Sequence, residues 1–140
     1  MYISIDELKT ALYAYQAQEI ANDDSDILLM NIAAAEGEVR SYLAGRYDVN
    51  AIFAAQGAER NPLLLELTKN IAVWYIVRLS NVDLIYKHAK ERYDAAVDWL
   101  NRVADGKLNP DLPPAAAADG VPDGSAISWG SSEPRNNNDY

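Results

Sequence analysis

A chain of 140 residues with 12 Lys+Arg against 21 Asp+Glu, a net charge of −9, has room for one ordinary domain. It lacks the cationic footprint of a general nucleic-acid binder, whose affinity comes largely from counterions released by basic side chains. With no cysteine and one histidine, His88, disulfide frameworks, thiol catalysis, thiolate metal sites and His clusters within one subunit are excluded.

In chain order the pattern predicts four helices. Ser4-Ile5-Asp6-Glu7 is a capping-box sequence, in which the Ser hydroxyl accepts from the third helical amide and the Glu carboxylate reaches back to the Ser amide. The helix it opens runs to about Tyr15, with Leu8, Leu12 and Tyr15 on one face. Asn22-Asp23-Asp24-Ser25-Asp26 supplies the next start, since carboxylates favour the exposed amides of a helix N-terminus. The second helix carries Leu28, Ile32, Ala35, Val39 and Tyr42 at alternating spacings of four and three, and stops at Gly45.

From Gly45 to Asn61 the periodicity weakens, so this stretch, with Val49, Ile52, Phe53 and Gly57, reads as a long loop or a short extra turn. Loops of that length in a compact domain are often functional. Asn61-Pro62 reopens the helix, with Asn as cap and Pro at the first helical position. The third helix extends to about Ser80, and its centre, Ile71 to Val77, is apolar all round. That run is the longest in the chain, at 7 residues, against roughly 20 for a membrane span. It marks a helix buried at the centre or shared with a neighbouring subunit. The fourth helix starts near Asn81 or Val82, presents Val82, Ile85, Ala89, Tyr93, Ala96, Leu100 and Val103 inward, and ends at Asp105-Gly106.

From Lys107 the composition changes to Asn109-Pro110, Pro113-Pro114, four alanines, Gly120, Pro122 and Gly124, which cannot offset its own ordering entropy. Ile127 and Trp129, alternating in Ala126-Ile127-Ser128-Trp129, stand out against that character. The expected fold class is all-α: a small antiparallel four-helix bundle over residues 1–106, followed by an extended C-terminal arm over 107–140 that is flexible or ordered by a partner. The opening Met-Tyr-Ile-Ser-Ile-Asp has no basic segment or apolar core of a secretory signal, so the expectation is a soluble intracellular protein.

Chemistry is hard to place on this framework. A calcium loop begun at Asp24 would need oxygen ligands where Leu28 and Ala35 stand, so the acidic cluster reads as a helix cap. Glu36 and Glu38, two apart, fall on different helix faces; Glu91, Asp94 and Asp98 share one face without a His, Cys or Ser partner and read as a solvated stripe. His88, in Lys87-His88-Ala89-Lys90, reads as a surface residue. Neither a dinucleotide fingerprint nor a P-loop fits around Gly37, Gly45 or Gly57. No catalytic residue, cofactor or metal is expected. What exceeds background is aromatic content, nine tyrosines and three tryptophans. Tyr42, Trp74, Tyr93 and Trp99 suit a core; Tyr47, Phe53 and Trp129, off the helices, suit a core or an interface equally.

Three segments, Tyr2-Ile3-Ser4-Ile5-Asp6-Glu7-Leu8, Ser41-Tyr42-Leu43-Ala44-Gly45-Arg46-Tyr47 and Glu91-Arg92-Tyr93-Asp94-Ala95-Ala96-Val97-Asp98-Trp99-Leu100, resemble the Mu-like phage and prophage head-tail connector family. Ile127-Ser128-Trp129-Gly130-Ser131 is similar to the segment that ends those proteins. The resemblance implies a non-enzymatic adaptor of the virion, or of the bacterial cytoplasm when expressed from a prophage. It would assemble as a homo-oligomeric ring between the portal and tail-completion proteins and take DNA only as passing cargo, with no membrane or small-molecule partner. Tyr47, Ile52, Phe53, Trp74, Ile127 and Trp129 are the interaction residues expected on that reading, with the third helix and long loop meeting adjacent protomers and the arm reaching the next subunit or the portal. Residues 1–106 hold 10 basic and 16 acidic side chains and residues 107–140 hold 2 and 5, so the negative charge is spread along the chain. In a ring it would repel phosphates and let a duplex slide. Two other readings are a helical regulatory module binding a phage or host protein through Tyr47 and Phe53, and an enzyme built on Glu91, Asp94 and Asp98.

Overall fold

The computed structural model describes residues 1–14, 25–78 and 83–115. Among these, five α-helices form: α1 (Ile5–Ala14), α2 (Ser25–Leu43), α3 (Val49–Ala54), α4 (Pro62–Val77) and α5 (Asp83–Ala104), with a 3₁₀ turn at Gly57–Glu59 between α3 and α4. The described chain is all-helical apart from one isolated antiparallel bridge between Tyr47 and Pro114. Tyr15, the cap residues Asn22 to Asp24, Ser80 to Val82, Ile127 and Trp129 lie outside the described residues.

α4 is the centre of the protomer. It packs most extensively on α5, then on α2, and also on α1. Leu64, Ile71, Ala72, Val73, Trp74, Ile76 and Val77 are buried, so its all-round apolar centre is covered by this chain's own helices. The one buried polar side chain among the described residues, Thr68, donates its hydroxyl to the Leu64 carbonyl at 2.7 Å and so costs the core no unpaired group. α2 turns Leu28, Ile32, Ala35, Val39 and Leu43 inward, with Tyr42 half-buried at the edge. α5 contributes Ala89, Ala96, Leu100 and Val103.

The helix ends follow their local chemistry. The Ser4 amide donates to Glu7 Oε1 at 3.0 Å and the Glu7 amide to Ser4 Oγ at 3.1 Å, the reciprocal capping box. Asn61 Oδ1 accepts from the Leu64 amide at 3.0 Å, with Pro62 behind it at the first helical position. α5 ends in a Schellman arrangement: Gly106 N–H donates to the Val103 carbonyl at 3.1 Å and Lys107 N–H to the Arg102 carbonyl at 2.8 Å, with Gly106 at φ 81°.

Two stretches differ from the sequence expectation. Residues 48–60 hold α3 and the 3₁₀ turn, so the helix count is five. The reason is local: Asp48 accepts from the Ala51 amide at 3.1 Å, and Ile52 and Phe53 then face the core. The beginning of the expected arm, Lys107 to Ala115, runs along the helices, with Leu108 and Leu112 packed on the core. Asp48 N–H donates to the Pro113 carbonyl at 2.9 Å and Ala115 N–H to the Arg46 carbonyl at 3.0 Å. Prolines 113 and 114 lack amides, but their carbonyls still accept.

The N-terminal strap is held by Arg60. Its guanidinium donates from Nη1 and Nη2 to the two Glu7 oxygens at 2.8 Å each, from Nη1 to the Tyr2 carbonyl at 2.7 Å, and from Nε to the Gly57 carbonyl at 2.9 Å. The Arg60 hydrogen bonds hold the Glu7 carboxyl down at about 2, from an ordinary 4.5. The folded-state value lies below the unfolded one. The contribution of this pair is therefore complete above about pH 4.5 and is lost as pH falls towards about 2. Half-buried Glu36, which accepts from the Ile3 amide at 3.4 Å, is raised by burial and opposes this trend. Arg60→Ala should lower stability at neutral pH by about 2–3 kcal/mol, because it strands a half-buried carboxylate and two carbonyls. Urea unfolding at a series of pH values checks this: the variant should lose stability less steeply on acidification, and an unchanged acid limb would count against the Arg60–Glu7 link.

Candidate interaction surfaces

Three surfaces bear on recognition. The first surrounds α3. Tyr47, just before α3, and Ile52 and Phe53 on it are 8 %, 4 % and 6 % exposed, so within the protomer all three face inward. Phe53 is held between the Tyr2 ring, 4.7 Å away between centroids, and the Arg40 guanidinium, 4.9 Å from its centroid. The Tyr2 hydroxyl is buried without a hydrogen-bond partner, and burial pushes it up to about 12. Beside this cluster opens a groove of about 270 Å³ lined by Ala51 and Ile52 of α3, Ala55 just after it, Glu59 to Pro62, and Asp111 to Pro113. Asn61, which caps α4, also donates from Nδ2 to the Asp111 carbonyl at 3.1 Å, fixing the far wall to the near one.

The second surface centres on Trp74, itself 8 % exposed. Tyr86 meets its ring edge-on at 4.9 Å, Tyr93 lies at 5.7 Å, and Lys90 Nζ sits 5.7 Å from both the Trp74 and Tyr93 centroids. Behind this cluster Glu38 of α2 accepts from the hydroxyls of Tyr75 on α4 and Tyr93 on α5, the latter at 2.9 Å. One carboxylate thus ties three helices. Trp74 does not adjoin Tyr47, Ile52 and Phe53 in any contact described, and no periodic signal pairs Glu38 with tyrosines 37 and 55 residues away.

The third surface is the side of α2 turned away from the core. Ile27 is 46 % exposed and Met30 72 %. Ala33, Ala34, Gly37, Ser41 and Ala44 continue this outer face, and space beside Gly37 is open. By contrast, the outer side of α5 is charged: Glu91, Asp94 and Asp98 stand beside His88 at 3.6 Å, Lys90, and Arg102 at 3.1 Å. Each of these carboxylates has a partner on its own helix, Lys90 for Asp94, Arg102 for Asp98 and the His88 ring for Glu91, which suits a solvated surface. Among the described residues no group of His, Asp and Glu side chains could hold a metal ion, and no helix is long and apolar enough to cross a membrane.

The Glu38 cluster has a measurable signature. Burial, then the hydrogen bond to Glu38, raises Tyr93 from 10.0 to about 12 and Tyr75 in the same direction. The folded state thus keeps phenolic protons that the unfolded chain releases, so stability is full below about pH 10 and falls as pH rises through about 12. Glu38→Gln should make that alkaline fall shallower without abolishing it, because the rings stay buried. Thermal unfolding between pH 9 and 12 measures it, and identical alkaline profiles would contradict the assignment.

The chain matches the family model described as bacteriophage Mu, Gp36 over residues 2–127. Searches of curated proteins and of solved structures give no match. Since the family match takes in α1 to α5 and the segment Lys107 to Ala115 that follows, the chain belongs to the bacteriophage Mu Gp36 family of phage proteins.

Proposed function

We propose that this chain is a non-enzymatic structural protein of a tailed phage or prophage, a head-tail connector whose four-helix-bundle protomers assemble as a ring at the portal and let DNA pass. The observation that carries this reading is the outer face of α2. From Ile27 to Ala35 the helix has no charged side chain, and its exposed members are Ile27, Met30, Ala33 and Ala34. Protomers of charge −9 repel one another wherever charged faces meet. The uncharged face of α2 is where two copies approach at least electrostatic cost, and Gly37 and the alanines let a neighbouring element come close. A contact between this face and a different face of the next copy is heterologous, and heterologous contacts form a ring where the rotation between copies closes.

The charge balance supports the second half of the reading. A ring of acidic protomers offers phosphates no sticking point, so a duplex passes as cargo. No cofactor, membrane or small-molecule substrate is needed. A regulatory module acting through Tyr47 and Phe53 would have to draw both side chains out of the core, which costs roughly 1.5–3 kcal/mol for a residue such as Phe53. An enzyme on the α5 carboxylates would need a cleft, and those groups stand on an exposed helix surface.

Native mass spectrometry of the chain with its portal should give a closed ring of defined number. Met30→Glu, which puts one carboxylate at every proposed contact, should lower ring yield at least tenfold while leaving helical content and melting temperature unchanged. A chain that stays monomeric in the presence of its portal would remove the assembly reading.

A further inference from the structure

We infer that the groove beside α3 is the seat of this chain's own Ile127-Ser128-Trp129 segment. The inference is independent of the connector reading, since it concerns the isolated protomer.

The groove selects against negative charge. Its apolar walls are Ala51, Ile52, Ala55, Pro62, Leu112 and Pro113, and its one cationic side chain, Arg60, is spent on Glu7, Tyr2 and Gly57. The remaining ionisable lining groups are the carboxylates of Glu59 and Asp111. Such a site repels phosphate and acidic peptides. It suits an uncharged segment with a large apolar side chain and an N–H to donate to the carboxylate rim, which describes an indole. Beyond Ala115, the residues Gly124 to Ser132 form a nine-residue run without charge, and Ile127 and Trp129 are its large apolar side chains. Aspartates at 119 and 123 precede the run and Glu133 follows it, so no other part of the C-terminal 25 residues offers this combination.

The connection also fits. Residues 111–113 form one wall of the groove, so the described chain ends at Ala115 two residues from its rim. Eleven residues, 116–126, separate Ala115 from Ile127. Extended, they reach roughly 36 Å at about 3.3 Å per residue, far more than a return to the groove requires. Asp119-Gly120 and Pro122-Asp123-Gly124 supply reversal chemistry. A tether this short holds the segment at an effective concentration of about a millimolar, which favours the chain's own tail over another copy at micromolar concentration.

The absence of cysteine makes the test clean. A spin label on Ser132→Cys in the full-length, isotope-labelled protein should erase most of the amide signal intensity of Ala51, Ile52, Ala55 and Leu112, and adding Trp129→Ala should restore it. Absence of broadening, broadening spread over the surface, or groove broadening that persists with Trp129→Ala would each overturn the inference. Broadening seen only when spin-labelled protein is mixed with isotope-labelled, unlabelled-cysteine-free protein would also overturn it, by moving the segment to a second copy.

Discussion

The Arg60 guanidinium, wedged between the first helical turn and the loop before α4, joins parts of the chain that are 53 residues apart. Glu7 could not hold both ends alone. It already closes the capping box with Ser4, and only its geometry as a two-oxygen acceptor leaves room for a bidentate guanidinium. With Arg60 in place, the Tyr2 carbonyl is satisfied, its ring lies on Phe53, and α3 is clamped under the N-terminal strap. The groove depends on the same anchor, because Arg60 and Asn61 form its floor and lead directly into α4.

Magnitudes separate what stabilises the protomer from what fixes its form. Truncating a fully buried side chain such as Leu64 costs about 2–5 kcal/mol, and α4 alone buries seven apolar side chains. The ion pair, with side chains 13 % and 31 % exposed, is comparable to only one of them. The core therefore supplies the bulk of the stability. The polar ties, Arg60 to Glu7 and Glu38 to its two tyrosines, join elements that lie far apart in the chain. Both ties face inward or sideways, and neither uses the outer side of α2. Among the described residues none covers the exposed members of that face, Ile27, Met30, Ala33 and Ala34.

What was legible in the sequence was short-range. The capping box at Ser4, the Asn61-Pro62 start and the Gly106 stop each rest on atoms within five residues of one another, and the stripes of α2 and α5 follow from helical spacing alone. What was not legible was pairing across distance. Glu38 and Glu36, two apart, looked unrelated to any site, yet one joins three helices and the other receives the Ile3 amide. Leu108 and Leu112 read as part of an arm because prolines surround them, but their four-residue spacing and the free carbonyl of Pro113 suffice to bind this segment to residues 46–48. Asp48 ahead of Ile52 and Phe53 was the available signal for α3. Phe53 packs between Tyr2 and Arg40, a pairing that no local pattern supplies.

The central claim is that the outer face of α2 is covered in the assembled particle and open in the free protomer. Thiol labelling of a single cysteine at Met30→Cys, compared between purified protein and intact phage particles, tests it most directly, with Ala95→Cys on the exposed side of α5 as reference. The account predicts rapid labelling at both positions in the free protein and strong protection at position 30 alone in particles. Equal reactivity at position 30 in both states, or absence of the chain from the particle, would contradict it.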